Sequence, residues 1–208
     1  MTFDDLLDKL KKKEHFSLSR WGDGEFNCIF RRHDKKMYHN TDQHMYFPDM
    51  GRALLNVLET AGRGEMFALQ NLAKRTFKDN PEFKRLVADN KWPADAEIFS
   101  RNHKRLPELL KAFESNPVIL VANKYYRKLS IFKEFVEIPE RNCWIEKERL
   151  YTGLQGLIKS GDVIVYAASM MANVLIDDLY RLDYTQIDVG SAFDPFLGRI
   201  TRNYMKKL

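Results

Sequence analysis

The densest chemistry in the sequence lies in Ser19-Arg20-Trp21-Gly22-Asp23-Gly24-Glu25-Phe26, where two glycines, two carboxylates and an arginine fall together. Glycines let the backbone turn tightly and approach a ligand. Asn27 stands where a dinucleotide fingerprint would place its third glycine, so a GxGxxG reading fails. Asp23 and Glu25 would repel a bare diphosphate at short range, and a divalent cation reverses that sign. Mg²⁺ and Mn²⁺ take oxygen ligands, often one or two carboxylates together with phosphate oxygens and water. An Asp-x-Glu turn is therefore suited to a metal-bound diphosphate, with Gly22 and Gly24 admitting the ligand and Arg20 adding a charge-assisted contact. The same residues also suit a plain surface turn, in which Asp hydrogen-bonds the local backbone.

Further candidates follow the other expected strands. Asn123-Lys124 places an amide and a cation at a sheet edge, where a nucleotide would meet them, and Lys124 equally suits an ordinary surface charge. Ser169, with small neighbours Ala167 and Ala168, sits at a strand-to-helix junction and suits either a plain N-cap or a phosphate or ribose contact. Asp188 and Asp194 lie on either side of Gly190, and transfer of a group to a hydroxyl can use a carboxylate as general base. Asp194 is preferred for that role, because Asp188 is nearer a strand interior and suits orienting a loop. Asp194-Pro195 also suits the cap and first residue of a terminal helix. His33, His39 and His44 match no common zinc spacing and read as solvated loop histidines. Neither a Walker A sequence nor a GxSxG elbow is present, which demotes P-loop ATPases and serine hydrolases. Basic residues interleave with aromatics in Phe30-Arg31-Arg32-His33 and Lys124-Tyr125-Tyr126-Arg127-Lys128, a pattern that suits nucleic acid or a solvated face with its rings turned inward.

The elements that must position these groups are legible from periodicity. Phe3, Leu6, Leu7 and Leu10 predict an amphipathic helix with a basic end at Lys11, Lys12 and Lys13. Strands are expected at Phe16 to Ser19, Met66 to Leu69, Val118 to Ala122, Phe135 to Ile138, Val163 to Ala167 and Gln186 to Val189. Pro48 starts a helix carrying Leu54, Leu55 and Leu58, and Leu106, Leu109, Leu110 and Phe113 mark another. Two later stripes join Leu150, Leu154, Leu157 and Ile158, and Met171, Val174, Leu175, Leu179 and Leu182. From Pro117 onward strand and helix alternate four times, which builds a mainly parallel sheet covered on both faces: a Rossmann-like α/β architecture. Residues 70 to 104 read as an excursion near the site.

With 208 residues, 44% of them hydrophobic, and no Gly/Ser linker or repeat, a single domain over residues 1–208 is expected. No stretch approaches a spanning helix and the first residues lack a signal peptide's apolar centre. Cys28 and Cys143 are too few for a disulfide framework, so a cytoplasmic location is the expectation. Lys and Arg outnumber Asp and Glu by 34 to 29, which favours an anionic partner without naming one.

The segment SLSRWGDGEF resembles the Arg-aromatic-Gly-Asp-Gly-Glu-aromatic signature of the glycosyltransferases with the D-type fold, a family first catalogued as a bacterial domain of unknown function. The resemblance implies a Rossmann-like fold, a nucleoside-diphosphate sugar donor with a UDP-sugar favoured, and Mn²⁺ or Mg²⁺ bound through the Asp-x-Glu motif, here Asp23 and Glu25. Ile187-Asp188-Val189-Gly190-Ser191, with Asp194 beyond it, is similar to the family's strand-end Asp-hydrophobic-Gly-(Ser/His) segment and its following acidic residue. Tyr46-Phe47-Pro48 and Ala167-Ala168-Ser169 fit more loosely. The chain is shorter than many relatives, and the resemblance says least about the part that would bind the acceptor. The expectation is a metal-dependent hexosyl- or pentosyltransferase acting on a hydroxyl of a glycan or glycoprotein, with a modified DNA base as a second acceptor. An S-adenosylmethionine-dependent methyltransferase and a non-catalytic nucleic-acid-binding domain are the alternatives.

Overall fold

A computed structural model describes residues 1–32, 38–40, 43–202 and 205. The chain opens with helix α1 (Phe3–Lys12), fixed at its start by a capping box in which Thr2 and Asp5 exchange hydrogen bonds of 2.7 and 3.1 Å. Its last turn is basic, as expected, and it buries Phe3, Leu6 and Leu10.

Seven strands follow: β1 (Ser17–Trp21), β2 (Met66–Leu69), β3 (Ala94–Asp95), β4 (Val118–Ala122), β5 (Glu134–Glu137), β6 (Val163–Tyr166) and β7 (Thr185–Asp188). They form one sheet in the order β3-β2-β1-β7-β6-β4-β5, and every pairing is parallel. The fold expected from the sequence, a mainly parallel α/β sheet with helices on both faces, is the one observed. β4 shows why: Val118, Leu120 and Ala122 pack into one core cluster while Ile119 and Val121 pack into another. A strand covered on both sides reads as an unbroken apolar run.

On one face α1, α6 (Ile98–Arg101) and α7 (Leu106–Glu114) pack against Leu18, Leu120, Val165 and Ile187. The opposite face carries two clusters. One gathers Trp21 and Phe67 with α2 (Asp23–Phe30), α3 (Pro48–Glu59), α4 (Asn71–Thr76) and α5 (Pro81–Asp89). The other packs α8 (Lys147–Leu157) and α9 (Met171–Asp178) on β4 and β6. Among the described residues no helix is long and apolar enough to cross a membrane.

Four details differ from the sequence expectation. β3 has only two residues, too few for a pattern, yet it extends the sheet beside β2. The connection from β4 to β5 is a 3-10 segment, Lys124–Leu129, and the terminal element after β7 is another, Asp194–Leu197. α9 stops at Asp178, so Leu182 leaves the expected stripe and stands 80% exposed. The chain runs outward from β1 through β2 to β3, whereas β4 to β7 fill the other half. The order therefore reverses between β1 and β7, and the crevice beyond their carboxyl ends is where such sheets bind ligands.

Candidate active site

β1 ends at Trp21, the chain crosses Gly22, and α2 begins at Asp23, so the two acidic side chains arise at that crevice. Gly22 sits under two side-chain ends: a Cβ there would lie 2.6 Å from Gln70 Oε1 and 3.3 Å from Glu25 Oε2 and would displace them. Glu25 reaches back so that its Oε2 accepts the Gly22 N–H at 2.6 Å, and the Asp23 N–H donates to Gln70 Oε1 at 3.4 Å. Desolvation pushes the Glu25 carboxyl up to about 7, with repulsion from Asp188 and Asp23 adding to it against the backbone hydrogen bonds. Asp188, the last residue of β7, is buried, and its Oδ1 accepts the Gly190 N–H at 2.9 Å. Burial raises its pKa while the Arg20 charge opposes the rise. The expected loop-orienting contact of Asp188 is thus present.

These carboxylates line a cavity of about 560 Å³ beyond β1, β2 and β7. Arg20 also faces it, with its Nε held: Nε donates to Ala96 O at 2.9 Å, and the guanidinium lies over the Phe99 ring at 5.2 Å. It presses on the Gly190 turn as well, where a Cβ would come 3.0 Å from Nη1 and the backbone has a φ of +52°. Arg20 thereby ties β1 to the 94–99 segment and to the turn after β7. Gly24 is open by contrast, since the nearest atom to a Cβ there is Met170 Sδ at 3.9 Å.

A second cavity of about 310 Å³ adjoins the first, the two sharing Ser169, Gly190, Ser191 and Arg202. Asn123 and Asp194 line it, so the sequence-selected groups divide between two connected chambers. Asp194 is buried; its Oδ1 accepts from the Tyr126 hydroxyl at 2.7 Å and its Oδ2 from the Thr201 hydroxyl. Phe193 occupies the cap position of the terminal segment, so Asp194 is its first residue and not its cap. Asn123 Oδ1 accepts the Tyr125 N–H at 3.1 Å, starting the 3-10 segment.

Lys124 lines neither cavity; its ammonium is exposed over the Tyr125 ring at 5.6 Å, which fits the surface-charge reading. Ser169 lines both cavities in a left-handed conformation, φ +52°, yet α9 is capped by Met170 without a side-chain hydrogen bond. Its side chain is therefore not the expected N-cap. His39 faces the larger cavity and His44 the smaller, and His33 lies outside the described residues. The aromatic-basic runs do not form a stacking strip. Phe30 packs against the core and Arg32 pairs with Glu82 at 2.9 Å, while Tyr126 is buried and Arg127 pairs with Glu137 at 3.2 Å.

Some lining residues were not singled out as site residues from the sequence. Gln70 follows β2 directly, a position that could have been found from the strand-end rule; Arg31 was noted only within an aromatic-basic run and Tyr46 only as a loose family match, and Arg202 carried no signal. The donor chemistry fits a divalent cation: Asp23, Glu25 and Asp188 line one cavity, and the charges of Asp23 and Asp188 raise the proton affinity of Glu25, which a cation would relieve. Among the described residues no group of three or more His, Cys, Asp or Glu is arranged to hold a metal by itself. Any ion would take part of its shell from the ligand, as Mg²⁺ does with phosphates. Asp23 and Glu25 are the residues that would hold it.

No family model matches the chain, and no curated protein matches it. Two solved structures share its fold. A selenomethionine-substituted structure of domain of unknown function 1792 superposes with a TM-score of 0.64 at 16% identity. A second, reported as showing that this highly conserved domain has a distinct glycosyltransferase fold, superposes with a TM-score of 0.63 at 16% identity. Each match covers 92% of this chain and 78% of the other. The chain thus has the fold expected from its Ser19–Phe26 signature.

Proposed function

We propose that this protein is a metal-dependent glycosyltransferase that moves a sugar from a nucleoside-diphosphate sugar to an acceptor hydroxyl. The observation carrying the reading is the convergence of Asp23, Glu25 and Asp188 on one wall of a cavity at the reversal point of the sheet. The glycosyltransferase fold of the similar structures supports it. The donor occupies the larger cavity, with a UDP-sugar the first to try, and the acceptor, a glycan or glycosylated protein, enters the smaller one.

Asp23 and Glu25 hold Mn²⁺ or Mg²⁺ at the diphosphate. When bound, the ion supplies positive charge to the departing nucleoside diphosphate. Gly24 leaves room for the donor, and Asp188 fixes the Gly190 turn that separates the chambers. Asp194, oriented by Tyr126 and Thr201, takes the proton of the acceptor hydroxyl. The acceptor oxygen bonds to the anomeric carbon, and the bond from that carbon to the phosphate oxygen breaks with its electron pair leaving on the diphosphate. A modified DNA base has weaker support as acceptor, because the aromatic-basic runs are spent on packing and ion pairs. Cys28 and Cys143 are both buried and free, which suits a reducing cytoplasm.

Electron paramagnetic resonance of Mn²⁺ tests the metal site. Free protein should bind the ion weakly, and addition of the matching nucleoside diphosphate should give a protein-bound signal that the Asp23→Asn variant loses. A bound signal that persists in that variant would place the ion elsewhere.

A further inference from the structure

Arg31 follows α2 as its C-terminal cap residue, so it stands about 12 Å along the helix axis from Asp23 at the rise of 1.5 Å per residue. Both ends of α2 face the larger cavity. The Arg31 guanidinium lies over the Tyr38 ring at 4.2 Å and beside the Tyr46 ring at 5.9 Å. Tyr46 lines the same cavity as Asp23, Glu25 and Arg31 and lies within the field of all three. A guanidinium held by aromatic faces keeps its in-plane N–H edges available, and that rigid fork matches phosphate oxygens two at a time.

The cations nearby are differently placed. Arg20 is anchored through Nε to Ala96 O, over the Phe99 ring and in the field of Asp188. Arg199 pairs with Glu140 and covers Tyr125, and Arg202 Nε donates to Ser191 Oγ at 3.3 Å. Among the described residues the Arg31 guanidinium has ring contacts and no ion pair or hydrogen bond.

We infer that Arg31 is the residue that grips the phosphates of the donor, opposite the carboxylates, and that Arg20 is a positioning residue which holds the cavity's shape. This rests on the donor reading above, and it reassigns the phosphate contact expected of the arginine inside the signature. The oxyanions reach a fork already oriented by Tyr38 and Tyr46, so little side-chain freedom is lost on binding.

Calorimetric titration of UDP, GDP, ADP and dTDP with Mg²⁺ identifies the nucleotide that binds the full chain, and the matching nucleoside serves as the phosphate-free probe. Arg31→Lys and Arg31→Ala should each weaken the diphosphate at least tenfold and leave the nucleoside within twofold. Lysine should not rescue, because it lacks the fork. Tyr38→Leu, at a ring that is 41% exposed and so tolerant of change, should weaken the diphosphate about threefold by releasing the guanidinium. Thermal melts of each variant confirm folding. If the wild type binds a diphosphate and the Arg31 variants bind it equally well, or lose nucleoside and diphosphate in proportion, the Arg31 assignment is overturned while the donor reading stands. If the wild type binds no nucleoside diphosphate, both fall.

Discussion

Glu65→Gln should stabilise the protein in a strongly pH-dependent way. Glu65 precedes β2 and is 8% exposed; Asp177, near the end of α9, is 4% exposed. The Arg63 N–H donates to Glu65 Oε2 at 2.9 Å, and the Arg63 side chain stands 3.7 Å from Asp177 Oδ2. Glu65 Oε1 and Asp177 Oδ1 are buried and make no hydrogen bond, so an ionised Glu65 would stand desolvated beside a second carboxyl. Burial pushes Glu65 from 4.5 up to about 7, with the Asp177 charge adding to the shift. A raised carboxyl pKa contributes stability that is complete below the unfolded value and lost as pH rises through 7. The difference is worth about 3 kcal/mol, at 1.36 kcal/mol per pKa unit. A neutral Gln has no charge to bury at any pH. Urea denaturation should therefore find the variant more stable than wild type by about 3 kcal/mol at pH 8 and nearly equal to it at pH 4.5, with Tm rising by roughly 6–12 °C at pH 8. An equal difference at both pH values, or a variant less stable at pH 8, would refute the account of a buried carboxyl with a raised pKa.

Glu25, raised to about 7, must lose its proton to bind a cation, so affinity for Mg²⁺ with nucleotide should climb as pH rises through 7 and then level off. Glu25→Gln should flatten that profile in a calorimetric series. Gly24→Ala meets nothing closer than 3.9 Å, so its Tm should hold or rise while nucleotide affinity falls; unchanged affinity would remove Gly24 from the site. Gly22→Ala should displace the Gln70 amide from the Asp23 N–H and cost about 1 kcal/mol in urea unfolding. Tyr126→Phe removes a 2.7 Å donor from the buried Asp194 carboxylate, which should cost about 1.5–3 kcal/mol, measured the same way.

The sheet was legible because its inner strands are covered on both faces, as in Val118-Ile119-Leu120-Val121-Ala122, and because Gly22-Asp23-Gly24-Glu25 follows a strand end. β3 was not legible: two residues carry no period, and its partner β2 fixes them through tertiary pairing. Leu182 kept helical spacing past the point where α9 stops, and spacing does not see the end of a packed face. The partners of Asp194 are nearer and farther along the chain, Thr201 and Tyr126, and nothing in either local pattern joins them. The contact of Arg20 with Ala96 spans 76 positions, so nothing in the local motif announces it.

Nucleoside-diphosphate release from a panel of UDP-, GDP-, ADP- and dTDP-sugars, with Mn²⁺ or with chelator, tests the central claim most directly, because slow hydrolysis reports donor use before the acceptor is known. The account predicts release from one donor class that requires the metal and is lost in the Asp23→Ala, Glu25→Ala double variant. Release that survives chelation and the double substitution, or no release from any donor by a protein that also binds no nucleotide, would contradict it.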